Sequence, residues 1–80
     1  MAIVKADEEW GKRAARHLKA ELKRAGVTYH GLANLLKKEG VRDETKASVS
    51  SKLAEGRITP AFILASLNAI GCEAVNLEDI

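Results

Sequence analysis

Thr28-Tyr29-His30-Gly31-Leu32-Ala33-Asn34-Leu35-Leu36-Lys37-Lys38-Glu39-Gly40 is followed, two residues later, by Asp43-Glu44-Thr45-Lys46-Ala47-Ser48-Val49-Ser50-Ser51-Lys52-Leu53-Ala54-Glu55-Gly56. These two segments decide the fold. Thr28 is a good N-cap for a helix from about Tyr29 to Lys38, with Leu32, Ala33, Leu35 and Leu36 as its apolar set and Gly40 as its stop. Gly31 in the first turn costs about 1 kcal/mol relative to Ala and invites a close backbone approach. Asp43 caps a second segment, about Glu44 to Glu55, closed by Gly56. Only Val49 and Leu53, four apart, are substantial apolar residues there, so this helix has a narrow inner edge and a broad polar face.

Outward from this pair, a longer helix is expected on each side. Upstream, the pattern predicts a helix from about Asp7 to Ala25, with Asp7, Glu8 and Glu9 in the first turn and Lys23 and Arg24 in the last. This arrangement suits the helix dipole, and Gly26 supplies the C-cap. Trp10, Ala14, Leu18, Leu22 and Ala25 recur at helical spacing as the expected buried stripe. Trp10 reads as a core anchor between this helix and the fourth; the alternative is an interface tryptophan, with Ile3 and Val4 just before it. Downstream, Thr59-Pro60 is a cap followed by proline at the first helical position. That fourth helix runs to about Ile70, turns Phe62, Ile63, Leu67 and Ile70 inward, and ends at Gly71.

The tail reads two ways. Glu73 to Leu77 alternates like a strand, for which Ala2–Lys5 is a conceivable partner, whereas Asn76 suits the cap of a short helix. The fold class is therefore all-α, a single domain over residues 1–80 with its core at about 7–71 and a tail at 72–80. A chain of 80 residues is too short for a doubly wound nucleotide fold or an α/β barrel. Its 46% hydrophobic and 30% charged residues are globular values.

Charge is unevenly placed. The net +2 divides into a tail of −3, from Glu73, Glu78 and Asp79, and a body of +5, from 13 basic and 8 acidic side chains. A single cysteine, Cys72, makes no internal disulfide. With neither a secretory signal nor a membrane-length apolar run, the expected compartment is the cytoplasm.

A short apolar helix followed by a short polar one, flanked by two longer packing helices, is helix-turn-helix organisation. Val27-Thr28-Tyr29-His30-Gly31-Leu32-Ala33 resembles the second helix of phage-repressor/Cro-like (XRE-type) domains. Lys52-Leu53-Ala54-Glu55-Gly56-Arg57-Ile58-Thr59-Pro60 is similar to the junction of that family's third and fourth helices, and Leu67-Asn68-Ala69-Ile70-Gly71 to its closing turn. The likeness spans about residues 12–71. It departs at Lys37–Glu44, where the chain is longer than the family's compact turn. A second resemblance, to small uncharacterised bacterial domains with this longer connection and a Phe in the fourth helix, fits more of the chain and implies no activity.

The first resemblance implies a DNA-binding, transcription-regulating domain of bacterial or phage type. Its partner would be double-stranded DNA, met as a homodimer because so small a domain reads few base pairs alone. Opposite Val49 and Leu53 lie Glu44, Ala47, Ser48, Ser51 and Glu55, with Thr45 and Lys52 at the flank. Thr45, Ser48, Ser51 and Lys52 are the candidate base-facing residues. Thr28, Tyr29 and His30 at the start of the second helix, with Lys46 and Arg57, are the candidate phosphate contacts, and Lys37, Lys38 and Arg42 add charge. Glu44 and Glu55 on the same helix oppose a polyanion. They favour the rival reading, a helical protein-interaction module that keeps the scaffold without reading DNA.

The other chemistries fare worse. His17, His30 and Cys72 lack metal-ligand spacing, no glycine loop resembles a phosphate cradle, and no nucleophile has a base beside it. The expectation is no enzyme, no metal, no cofactor, no small-molecule ligand and no membrane partner.

Overall fold

The computed structural model describes residues 2–80, with side chains from Glu8 onward. Four α-helices follow one another, α1 (Ala2–Ala25), α2 (Tyr29–Lys38), α3 (Lys46–Glu55) and α4 (Pro60–Ala69), before a 3-10 turn at Leu77–Asp79. The all-α class expected from the sequence is what forms, and there is no strand among the described residues. α1 and α2 each pack against both α3 and α4, so the four helices close a ring around one core.

That core is aliphatic. Leu18 and Leu22 of α1, Leu32 and Leu36 of α2, and Val49 and Leu53 of α3 meet Phe62 and Leu67 of α4, all buried. Leu35, Ile63 and Ile70 are only half-buried. The caps do what their chemistry predicts. Thr28 Oγ1 accepts from Gly31 N, and Thr59 Oγ1 accepts from Phe62 N with Pro60 behind it. Gly26, Gly40, Gly56 and Gly71 all take positive φ, which spares a side chain the strain of the left-handed region at each helix end.

Three expectations need correction at the N-terminal side. α1 starts at Ala2, not near Asp7, so Asp7, Glu8 and Glu9 lie inside the helix and Ala2–Lys5 is helical, not a strand. Neither Gly nor Pro interrupts residues 2–7, and a run of acids is no stop signal. The Ile3 and Val4 side chains fall outside the described set. The buried stripe of α1 is also displaced: Ala15, Leu18 and Leu22 are inward, whereas Ala25 is exposed and Trp10 is 51% exposed. Trp10 is thus no core anchor, and the Arg13 guanidinium lies over its ring at 4.2 Å. Trp10→Ala should accordingly cost less than about 1 kcal/mol in urea unfolding, well short of the 3–5 kcal/mol of a buried tryptophan.

α1 meets α3 through glycine. A Cβ on Gly11 would stand 2.3 Å from the Gly56 carbonyl oxygen. Close approach therefore belongs to Gly11, whereas a Cβ on Gly31 would meet side-chain atoms just before its own helix, Thr28 Oγ1 at 3.2 Å and Val27 Cγ1 at 3.5 Å.

The tail resolves the sequence's ambiguity toward the short helix. Asn76 Oδ1 accepts from Glu78 N at 3.0 Å and opens the 3-10 turn. Cys72 is half-buried and donates to the Ala74 carbonyl.

Candidate nucleic-acid interface

α2 and α3 are joined by residues 39–45, a longer loop than the compact turn of helix-turn-helix proteins. Asp43 does not cap α3. Thr45 does, through a capping box: its Oγ1 accepts from Ser48 N at 3.1 Å while Thr45 N donates to Ser48 Oγ at 2.8 Å. A cap at Asp43 would put Lys46 at N3, where its ammonium cannot accept from the cap N–H, whereas a cap at Thr45 puts the Ser48 hydroxyl there.

Glu44 falls just outside α3 and turns inward, leaving it only 6% exposed. Ser48 Oγ donates to its Oε1 at 2.6 Å, and Lys52 Nζ donates to and pairs with its Oε2. Lys52 also sits over the Phe62 ring, 5.0 Å from the centroid. Burial pushes the Glu44 carboxyl pKa upward, but the Lys52 and Ser48 hydrogen bonds and the Lys52 charge outweigh it and hold the group below its ordinary value.

The second acid of α3 is occupied at the other end. Ser51 Oγ donates to Glu55 Oε2 at 2.5 Å, and Arg57 Nη2 reaches both Glu55 Oε2 at 3.0 Å and Ser51 Oγ at 3.1 Å. The Ser51 hydrogen bond, then the Arg57 bond and charge, lower the Glu55 pKa.

The candidate base-facing residues are thus placed as follows. Thr45 is exposed but committed to capping; Ser48, Ser51 and Lys52 are half-buried and bonded within the chain. The solvent face of α3 is instead Lys46, Ala47, Ser50 and Ala54, all exposed, with exposed Glu55 at its C-terminal end. Ser50 and Ala54 were not singled out by the sequence. The available signal was the row Glu44, Ser48, Lys52: acid, hydroxyl and base four residues apart form an ion-pair seam, and that seam is the flank a neighbouring helix covers.

Among the phosphate candidates, Lys46 is exposed and makes no ion pair among the described residues. Thr28 caps α2, His30 is exposed with Nε2 3.4 Å from Asn34 Nδ2, and Tyr29 packs half-buried on the core. Arg57 is exposed but tied to Glu55. Lys37, Lys38 and Arg42 are exposed nearby, as is Asp43; Glu39 accepts from Asn68 at 3.1 Å.

Residues 10–75 match a protein family described as a domain of unknown function, DUF6471. The chain belongs to this family. No curated protein and no solved structure matches it. The matched DUF6471 span begins at Trp10 and takes in all of α2, α3, α4 and the loop between α2 and α3. Among the described residues no helix is long and apolar enough to cross a membrane.

Proposed function

We propose that this DUF6471 chain is a duplex-DNA-binding domain of helix-turn-helix type that lays α3 in the major groove. One observation carries the reading: no acid stands on the stretch of α3 formed by Lys46, Ala47, Ser50 and Ala54, and the one exposed acid of the helix, Glu55, is paired with Arg57 at its C-terminal end. Glu44, which from sequence opposed a polyanion, is buried against Lys52, and Glu55 is held at the C-terminal end by Ser51 and Arg57. Lys46, Ala47, Ser50 and Ala54 remain. Two alanines let a helix approach base edges and thymine methyls closely, Ser50 offers one hydrogen bond, and Lys46 reaches phosphate. The start of α2, with Thr28 and exposed His30, presents free N–H groups to a second phosphate. A symmetric dimer doubles the short site one such helix reads.

Fluorescence anisotropy of a labelled random duplex, titrated from 25 to 200 mM salt, tests this. Three or four phosphate contacts predict a log–log slope of about −3. Lys46→Ala should make that slope shallower by about 1, and Ser50→Ala should alter preference among sequences more than mean affinity. Absence of binding at the lowest salt sinks the proposal. Exposed Trp10 favours the second reading, a protein-interaction module. That reading predicts no duplex affinity at low salt and an association that Trp10→Ala abolishes.

A further inference from the structure

Away from the α3 contact, α1 carries a second basic feature. Arg13, His17, Ala20 and Arg24 fall on one line of the helix, with Arg16 beside them. The tail returns over this flank: Arg13 Nε and Nη2 donate to the Ile80 main-chain oxygen at 3.2 and 2.9 Å. Between helix and tail lies an open cleft of about 570 Å³, a size suited to a small organic ligand. Ala20 leaves its floor shallow, while Asp79 and Ile80 form the far wall.

Two features of the cleft are unspent. His17 Nε2 is buried and has no hydrogen-bond partner, an unusual state for a buried polar atom. Arg16 lines the cleft and makes no ion pair among the described residues. The acids present are partly answered: Glu21 pairs with Arg24 at 2.7 Å, and Asp79 on the far wall is exposed. Stacking of Arg13 on Trp10 fixes one guanidinium, and its two bonds to Ile80 leave further N–H groups free.

We propose that this cleft binds a small phosphomonoester, its dianionic oxygens taken by Arg13 and Arg16 and by the His17 Nε2 proton. The guanidinium fork matches phosphate geometry, and a phosphomonoester supplies several strong acceptors at once. The cleft is lined by α1 and the tail and by no residue of α2 or α3, so the site is separate from the α3 face and does not depend on the DNA reading.

The two histidines make the test internal. Long-range 15N spectra of the full chain at fixed pH resolve the His17 and His30 rings during titration with inorganic phosphate, against sodium chloride at matched ionic strength. The expected result is a saturable change at His17 with phosphate alone, with His30 unmoved. Arg16→Gln, at an exposed position, should weaken that response about tenfold while leaving Tm unchanged. The proposal fails if phosphate leaves His17 unmoved, if both rings drift together without saturation, or if Arg16→Gln binds as the parent does. A labelled duplex forms a separate arm: a His17 response to duplex with none to phosphate also overturns it and assigns the flank to nucleic acid.

Discussion

Gly11→Ala is expected to destabilise the domain by about 2 kcal/mol, lowering Tm by roughly 10 °C for a chain of this size. The added methyl would stand 2.3 Å from the Gly56 carbonyl oxygen, and that oxygen is backbone. Gly56 has little freedom to retreat. It closes α3 at φ 72 with its N–H on the Lys52 carbonyl, and a Cβ on Gly56 would itself stand 3.2 Å from Lys12 N, so the two backbones are close on both sides. The gain in helix propensity from Gly to Ala, about 1 kcal/mol, offsets part of the clash but not the separation of α1 from α3 that relieves it. Gly31→Ala is the matched control. Its methyl would meet the Thr28 hydroxyl at 3.2 Å, so its effect should stay within about 1 kcal/mol of zero. Thermal melts followed by circular dichroism separate the two; equal and small effects for both would show that the α1–α3 contact is loose.

The same glycine explains what the sequence conveyed and what it hid. Caps and stops were legible because they are local: Thr28, Thr59-Pro60, Gly26 and Gly56 act within one turn, and α2 and α4 form where these residues place them. The roll of α1 was not local. The stripes through Trp10 and Ala14 and through Gly11 and Ala15 share Leu18 and Leu22, and periodicity alone favours the one containing the larger apolar residue. Packing favoured the other, because Gly11 lets two backbones touch and Trp10 cannot. The exposed face of α3 escapes the sequence pattern for a related reason. Taking the direction opposite Val49 and Leu53 as solvent assumes one neighbour, whereas α3 is held by both α1 and α2. Its Ser48–Lys52 flank is also closed, by Glu44 and the Phe62 ring of α4, and the exposed face turns toward Ser50 and Ala54. No periodicity scan shows such a turn, because the covering residues are polar and pair with one another.

That polar pairing sets the second large effect. Lys52→Met should cost about 2–3 kcal/mol at pH 7, more than a lysine selected for a DNA contact would, because it strands the Glu44 carboxylate with only Ser48 to answer it. Lys52 keeps 28% of its side chain in solvent, so the loss stays below that of a fully buried pair. Glu44→Gln removes the charge together with its need for a partner and should cost less, about 1–2 kcal/mol. The double variant should recover part of the Lys52→Met loss, a coupling of about 1–2 kcal/mol. The pH dependence has a fixed sign. Glu44 titrates below its ordinary value in the folded chain, so its contribution is present above the unfolded carboxyl pKa. It is lost as pH falls below about 5, through the folded pKa. Urea unfolding of the parent chain should therefore weaken on acidification, and Glu44→Gln should flatten that part of the profile. In Lys52→Met the same burial acts without its counterweight from lysine, so the carboxyl pKa rises and mild acid should restore stability. A Lys52→Met variant as stable as one at exposed Lys19, with the parent's pH profile, would falsify the assignment. It would return Lys52 to the solvent face and leave the withdrawal of Glu44 from that face without its physical basis.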